Sequence, residues 1–204
     1  MFSHASQFLR SCLLVTLVVL AGSTLAQQSE FVEAGSLVAT IDGVDQTTHP
    51  YDVHAQTADG VQFAPGATFM YMKEVSLGDM VLTPAYFHIT VLTYNRELVN
   101  NQQGAIDLNI LVDPETLELT QLEDLRITYY PNGMDPEKIY VLSEGELKLD
   151  PIRVIDEDTW HVSGTIEGYV SRQESYNSPG DPNDKFHIVA RFEFPQVKRQ
   201  ESPF

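Results

Sequence analysis

Residues 160–170, "WHVSGTIEGYV", decide the fold class because two kinds of side chain alternate along them. Successive side chains of a β-strand point to opposite faces of a sheet. One row, with Trp160 and Ile166, is apolar, and the other row, with Glu167 and Tyr169, is polar. A strand of this kind covers a core on one side and faces water on the other. The stretch therefore predicts a half-buried strand of an antiparallel sheet.

A second stretch, residues 185–194 or "KFHIVARFEF", has the same alternation. The polar loop "QESYNSPGDPN", residues 173–183, joins the two stretches. We expect them to form an antiparallel pair. The apolar row of the second strand then faces the core beside Trp160; it consists of Phe186, Ile188, Ala190, Phe192 and Phe194.

The rest of the chain also consists of short β-branched and aromatic runs separated by Asp-Gly, Asn-Gly and Asp-Pro turns. The runs predict strands at 35–42, 50–56, 66–73, 85–94, 104–112, 125–130, 138–143, 146–155, 159–172 and 185–194. One short helical turn is expected near 120–126, where Thr120 and Glu123 have the spacing of a capping box. The predicted fold is all-β, an antiparallel β-sandwich or flattened barrel of roughly ten strands. A parallel sheet would need crossover helices, for which the pattern leaves no room.

The N-terminal residues 1–26 have the pattern of a secretory signal peptide. The apolar run "LLVTLVVLA" is shorter than a membrane-spanning helix requires, and small residues precede a predicted cleavage after Ala26. We expect no lipid anchor, because Ser23 stands where a lipidated cysteine would be. The remaining domain predictions are a flexible lead-in at 27–34, a single β domain at 35–196 and a polar tail at 197–204. The only cysteine, Cys12, lies in the signal, and residues 27–204 contain no Asn-x-Ser/Thr sequon. Together these features favour a bacterial protein exported to the periplasm or the extracellular space.

The formal net charge of −17 excludes one class of partner. Such a charge repels nucleic acids and anionic membrane surfaces, so we expect no nucleic-acid binding. We expect no transmembrane segment because the apolar run of the signal is too short to span a membrane. The acidic residues are dispersed along the chain. They have two interpretations: they form a solvated surface, or they attract divalent cations or a basic partner.

The polar rows of the two long strands contain the candidate ligand-binding residues His161, Glu167, Tyr169, His187 and Arg191. Cross-strand neighbours lie about 5 Å apart, so Glu167 is expected near Arg191, and Tyr169 near His187. The row has two interpretations: the solvated side of a sheet, or a polar floor for a sugar or another polar ligand. Glu167 is also the candidate catalytic acid or base, which would require a second carboxylate about 5 to 10 Å away.

A calcium site is the one cofactor prediction. Asp181, Asn183 and Asp184 offer several oxygens within one turn, as hard cations require, although ordinary turns use the same residue types. The five histidines after residue 26 lack the His-x-His and His-Glu-x-x-His spacings of transition-metal sites.

The sequence contains no Gly-x-Ser-x-Gly, dinucleotide or phosphate-loop signature. The predicted function is therefore noncatalytic binding of a ligand, a glycan or a protein partner outside the cytoplasm. Two alternatives stay open: a glycan-active hydrolase on a β-sandwich, and a structural or adhesive subunit of the cell envelope.

Overall fold

The fold is described by a computed structural model over residues 29–57, 60–78, 80–95, 104–120, 126–133, 139–174 and 178–201. Within these ranges the chain forms fifteen strands and no helix. The strands are β1 (Ser29–Glu33), β2 (Ser36–Ile41), β3 (Val44–Thr48), β4 (Tyr51–Thr57), β5 (Gly60–Ala64), β6 (Ala67–Met72), β7 (Val75–Leu77), β8 (Met80–Thr83), β9 (Tyr86–Thr93), β10 (Ala105–Val112), β11 (Arg126–Tyr130), β12 (Ile139–Leu149), β13 (Arg153–Asp156), β14 (Thr159–Gln173) and β15 (Lys185–Arg199).

Ten of these strands form one large sheet, and seven of the ten close into a ring. Around the ring the order is β14, β12, β11, β10, β9, β6 and β15, with β15 pairing back to β14. Strands β2 and β3 extend the sheet from β15, and β13 pairs with the start of β14. The ring is a flattened barrel, and closure leaves its seven strands without a free edge at the seam. Two smaller sheets accompany it, one of β1, β4 and β5 and one of β7 and β8.

The interior of the ring is filled by the apolar row of each strand. Trp160 of β14 stacks on Phe69 of β6, with ring centroids 3.9 Å apart and planes within 12°. Other fully buried side chains come from β14 itself and from five further strands; they are Leu37, Ile89, Val91, Ile106, Leu108, Ile110, Ile127, Ile166, Ile188, Phe192 and Phe194. Each aliphatic or aromatic side chain removed from water in this way contributes about 1.5–3 kcal/mol. This core fixes which row of each strand faces outward.

A bulge in β15 lets the ring close. Trp160 pairs with Val197, whereas Val162 pairs with Phe194, so β15 has one extra residue between the two pairs. Pro195 lies in this extra stretch, where its missing N–H removes no ladder hydrogen bond. Bulges bend a strand. Beyond the bend, Lys198 and Arg199 pair in parallel with β6, which closes the seam.

Two glycines permit the close approach of β12 and β14. Gly145 and Gly168 lie directly opposite each other, next to a register shift in β12. A Cβ atom at Gly168 would lie 2.0 Å from the carbonyl oxygen of Glu144, and Gly145 has a φ of +118°. A larger residue at either position would push the two strands apart.

The predicted all-β class is confirmed, and the pairing is antiparallel apart from that of β15 with β6. The two-residue parallel pairing of β15 with β6 is a local exception to the predicted antiparallel arrangement. The predicted strands 138–143 and 146–155 are instead β12 and β13, with β12 continuous through its bulge. The predicted signal peptide, 1–26, and most of the predicted helical turn at 120–126 lie outside the described residues.

The two ends predicted to be loose contain strand structure. Residues 29–33 of the predicted lead-in form β1, which pairs with β4. At the other end β15 continues to Arg199, and Val197 of the predicted polar tail is fully buried. Val197 opposes Trp160, so the core continues beyond the predicted domain boundary.

Candidate functional site

The outward face of β14 and β15 has the arrangement predicted from the alternation. Every second residue of β14 from Trp160 to Val170 is buried, and the residues between them face outward. Val189, Arg191 and Glu193 form the exposed row of β15. The core packing therefore places the polar rows of both strands side by side on one surface.

Two neighbouring strands widen this surface to four strands. Strand β12 pairs with β14 and places Glu146 opposite Glu167 and Lys148 opposite Thr165. On the other side β2 pairs with β15 and places Val38 opposite Arg191. Side chains from distant parts of the chain thus form continuous rows across the sheet.

The four strands form an open groove of about 660 Å³. Its lining side chains are mainly polar, with two exposed valines on the β15 and β2 side; they include Ser36, Val38, Thr40, Glu146, Lys148, Thr165, Glu167, Val189, Arg191 and Glu193. Val38 is 52% exposed and Val189 is 43% exposed, so the groove offers apolar surface beside its charged groups. We call this surface the β12–β2 groove.

The charges of the β12–β2 groove alternate across the rows. Lys148 and Arg191 belong to one row, and Glu146 and Glu167 belong to the next. The Lys148 ammonium lies 2.5 Å from the Glu146 carboxylate, and this hydrogen bond raises the pKa of Lys148. Both side chains are largely exposed, so this ion pair adds little to the stability of the fold.

The five predicted ligand-binding residues lie on this one outward face, but only Glu167 and Arg191 line the groove. The predicted contact of Tyr169 with His187 is confirmed: the residues are directly opposed and their ring centroids are 5.0 Å apart. They form an aromatic rim beyond the groove, where the Lys185 ammonium lies 4.3 Å from the Tyr169 ring centroid.

The predicted pairing of Glu167 with Arg191 is wrong in register. Glu167 opposes Val189, and Arg191 opposes Thr165. Among the described residues, neither charged side chain forms an ion pair within 4 Å. The charged ends of both side chains are therefore available to a ligand in the groove.

His161 lies at the opposite rim, near the start of β14. Its Nδ1 atom contacts the Arg153 guanidinium, and its buried Nε2 atom lies 3.4 Å from the Glu193 carboxylate without a hydrogen bond. His161 is partly buried and lies beside the lining residue Glu193. It is thus a rim residue and not a lining residue.

Two of the three predicted calcium ligands, Asp181 and Asp184, accept hydrogen bonds within the protein. Asp181 Oδ1 accepts a hydrogen bond from the Asn183 backbone N–H at 2.8 Å, as in an ordinary Asx turn. Asp184 accepts a hydrogen bond from the Tyr140 hydroxyl at 2.9 Å and lies 3.6 Å from Arg172. Over the described ranges, no three His, Cys, Asp or Glu side chains converge as metal ligands.

Glu146 and Lys148 are among the groove residues that the sequence interpretation missed, together with Val38 and its neighbours on β2. The sequence signal for Glu146 and Lys148 is the alternation of charged and apolar residues in "ELKLD", residues 146–150. This alternation marks Leu147 and Leu149 as the inward row, so Glu146 and Lys148 face outward. Neither residue was assigned to the site because the pairing of β12 with β14 cannot be inferred from either strand alone.

A second polar cluster, also missed, lies on the outer face of β9 and β10. Asn109 Nδ2 donates to Asp107 Oδ2 at 3.1 Å, and Asn109 Oδ1 lies 3.1 Å from His88 Nε2. Because an amide oxygen only accepts, His88 carries its proton on Nε2 in this contact. Burial raises the pKa of Asp107 to about 6, and the hydrogen bond from Asn109 opposes the rise. Asp107 therefore titrates close to neutral pH.

Comparisons with protein-family models, with curated proteins and with solved structures find no match to this chain. The part of the chain that the structure describes contains no helix long and apolar enough to cross a membrane. The functional argument accordingly depends on the geometry of the two polar surfaces.

Proposed function

We propose that this chain is a noncatalytic exported protein that binds a small polar ligand, with a glycan as the best chemical match, in the β12–β2 groove. The observation that carries the proposal is the groove itself, which gathers Glu167 and Arg191 with polar and apolar groups from four strands. Export is inferred from the apolar run and small residues of positions 1–26.

The composition of the groove supports a sugar over other small polar ligands. A pyranose has hydroxyl groups around its edge and C–H groups on its faces. Glu167 supplies acceptors and Arg191 supplies donors for hydroxyls, while exposed Val38 and Val189 match an apolar face. Carboxylates outnumber cations in the lining and in the whole chain, which disfavours anionic ligands.

The exposure of the groove supports binding without catalysis. The Glu146 side chain is 59% exposed and paired with Lys148, and Glu167 is also exposed. Glycoside hydrolysis uses positioned carboxylates in a site that excludes bulk water. The open β12–β2 groove does not enclose a scissile bond.

One observation favours a second candidate function, glycoside hydrolysis. Glu146 and Glu167 are directly opposed on adjacent antiparallel strands. Cross-strand neighbours lie about 5 Å apart, which is close to the carboxylate separation of retaining glycosidases. Glu146 thus supplies the second carboxylate that a catalytic role for Glu167 would require.

Thermal unfolding of the purified protein with a panel of oligosaccharides tests the binding proposal. A ligand at a hundred times its dissociation constant stabilises the native state by about 2.7 kcal/mol. For a domain of this size we expect the unfolding midpoint to rise by about 5–10 °C. Arg191→Ala should abolish the rise, and Arg199→Ala, a matched change further along β15, should retain it. The binding proposal is wrong if no sugar shifts the midpoint or if the shift survives Arg191→Ala.

Hydrolysis of aryl glycosides tests the catalytic candidate on the same preparations. Turnover that disappears in Glu167→Gln and persists in Glu157→Gln, a matched change at an exposed turn, would replace the binding proposal with a hydrolase. We expect no turnover above the buffer rate. Calcium, zinc and a chelator belong in the same unfolding series, because a metal-dependent midpoint would support the predicted site at Asp181, Asn183 and Asp184.

A further inference from the structure

The β7–β8 hairpin, residues 75–83, exposes more large apolar side chains than any other short segment that the structure describes. It lies between β6 and β9, whose own pairing ends at Met72 and Tyr86. Five apolar side chains of the hairpin are half or more exposed, and Leu77 reaches 69%; they are Val75, Leu77, Met80, Val81 and Leu82. Over the two faces of the hairpin they present on the order of 400–500 Å² of apolar surface.

The backbone of the hairpin is also incompletely paired. Strands β7 and β8 form a sheet of only two strands, so each has an outer edge without a partner in the described structure. A two-stranded hairpin is marginally stable in water, and an uncharged apolar edge strand is a template for pairing with another chain. Strand β8, Met80–Thr83, is such an edge because it contains neither charge nor proline.

We propose that the outer edge of β8 pairs antiparallel with the same edge of a second copy of this chain, forming a four-stranded sheet across a two-fold axis. Such a contact is self-complementary, as closed dimers require. The two hairpins together would bury at most about 800–1000 Å², which is below the range of stable specific interfaces. The dimer is therefore weak and concentration-dependent, with a dissociation constant in the micromolar range or above.

The charge of the chain disfavours an anionic membrane surface as the partner of the hairpin. The segment 74–83 contains Glu74 and Asp79, Lys73 directly precedes it, and the whole chain has a net charge of −17. Anionic lipids would repel this segment. Two copies also repel each other through their net charge, so salt should strengthen the dimer by screening that repulsion. A basic protein partner would bind less tightly as salt rises.

Sedimentation velocity of the purified protein, from about 1 to 500 µM and at low and high salt, tests the proposal. We expect a monomer–dimer equilibrium that shifts toward dimer as salt rises. Val81→Lys and Val81→Glu should each raise the dissociation constant at least tenfold, because a charge of either sign disrupts an edge-to-edge contact. Val154→Lys and Val154→Glu, matched changes at an equally exposed position of β13, should alter it less than twofold.

Two results would overturn the proposal: a monomer at every concentration and salt, or a dimer that the Val81 variants leave unchanged. Flotation with neutral phosphatidylcholine vesicles can give a third result that would overturn it. If the chain is monomeric and its flotation depends on Val81, the hairpin binds lipid and not a second copy. Thermal unfolding of all four variants controls for folding, and because Val81 and Val154 are half exposed, we expect unchanged midpoints. Since the hairpin is not part of the β12–β2 groove, this inference stands or fails independently of ligand binding.

Discussion

Replacing Asp107 with asparagine should stabilise the protein at neutral pH and leave it unchanged in acid. In the folded state burial raises the pKa of Asp107 from 3.8 to about 6. Below pH 3.8 the carboxyl is protonated in both the folded and the unfolded chain, so its ionisation does not affect the free energy of unfolding. Between these values the unfolded chain loses the proton first, so the free energy of unfolding falls as pH rises. Above pH 6 the buried carboxylate is ionised at its full cost.

The magnitude follows from the difference between the two pKa values. Each pKa unit corresponds to about 1.4 kcal/mol, so the difference between 3.8 and about 6 is worth about 3 kcal/mol. Asparagine has the same shape as aspartate and retains an oxygen that accepts the hydrogen bond from Asn109. Asp107→Asn should therefore gain up to about 3 kcal/mol at pH 8, or about 6–12 °C in the unfolding midpoint.

Urea unfolding of the wild type and the variant, measured at intervals from pH 4 to pH 8, checks this expectation. Asp113→Asn provides a control of opposite sign. The backbone N–H groups of Thr116 and Glu115 donate to Asp113, and these hydrogen bonds hold its pKa below the usual value. The stabilisation that these hydrogen bonds give to the folded state is present above the pKa of Asp113 in the unfolded chain and is lost in acid. Asp113→Asn should accordingly be less stable than the wild type at neutral pH and equal to it in strong acid.

A difference between wild type and Asp107→Asn that stays constant from pH 4 to pH 8 would refute the reasoning. So would a variant that is less stable than the wild type at pH 8. Carbon-13 NMR titration of the Asp107 carboxyl measures the same property directly, and it should show a midpoint near pH 6.

Three further predictions concern the core and its edges. Trp160→Ala should lower the free energy of unfolding by about 3–5 kcal/mol in urea, because it removes the ring stacked on Phe69, whereas Trp160→Phe should lose less. Gly168→Ala should cost about 1–3 kcal/mol by the same measurement, because its Cβ atom would lie 2.0 Å from a β12 carbonyl oxygen. Tyr140→Phe should cost about 1 kcal/mol through loss of the bond to Asp184. Desolvation and that bond raise the pKa of Tyr140 to about 12, so the absorbance change of phenol ionisation above pH 11 should shrink in Tyr140→Phe.

The paired strands β14 and β15 show how far local pattern predicts this fold. Alternation along each strand predicted that Trp160 and Phe192 face the core, and both are buried. The contact of Tyr169 with His187 was predicted as well, because residues near the connecting loop pair closely in an antiparallel hairpin. The opposition of Glu167 to Val189 was not predicted, since register depends on the length and shape of the loop.

The clusters around Asp107 and Glu146 mark the limit of local pattern. Asp107 and Asn109 alternate with apolar residues in β10, which marks them as an outward row. The burial that raises the pKa of Asp107 depends on neighbouring chain segments, which no local pattern specifies. In the same way, Glu146 faces Glu167 only because β12 pairs with β14.

The stretch "WHVSGTIEGYV" was sufficient to predict a half-buried strand, because the alternation of side chains is a property of the backbone itself. Whether its polar row faces a flat surface or a groove depended on the strands beside the hairpin. The pairing of β12 with β14 and of β2 with β15 brought Lys148 and Val38 beside Glu167 and Arg191. Strand pairing joins residues that are far apart in the chain, and the information for that pairing is distributed over the whole core. The inward row therefore follows from the local sequence, and the β12–β2 groove follows from the assembled sheet.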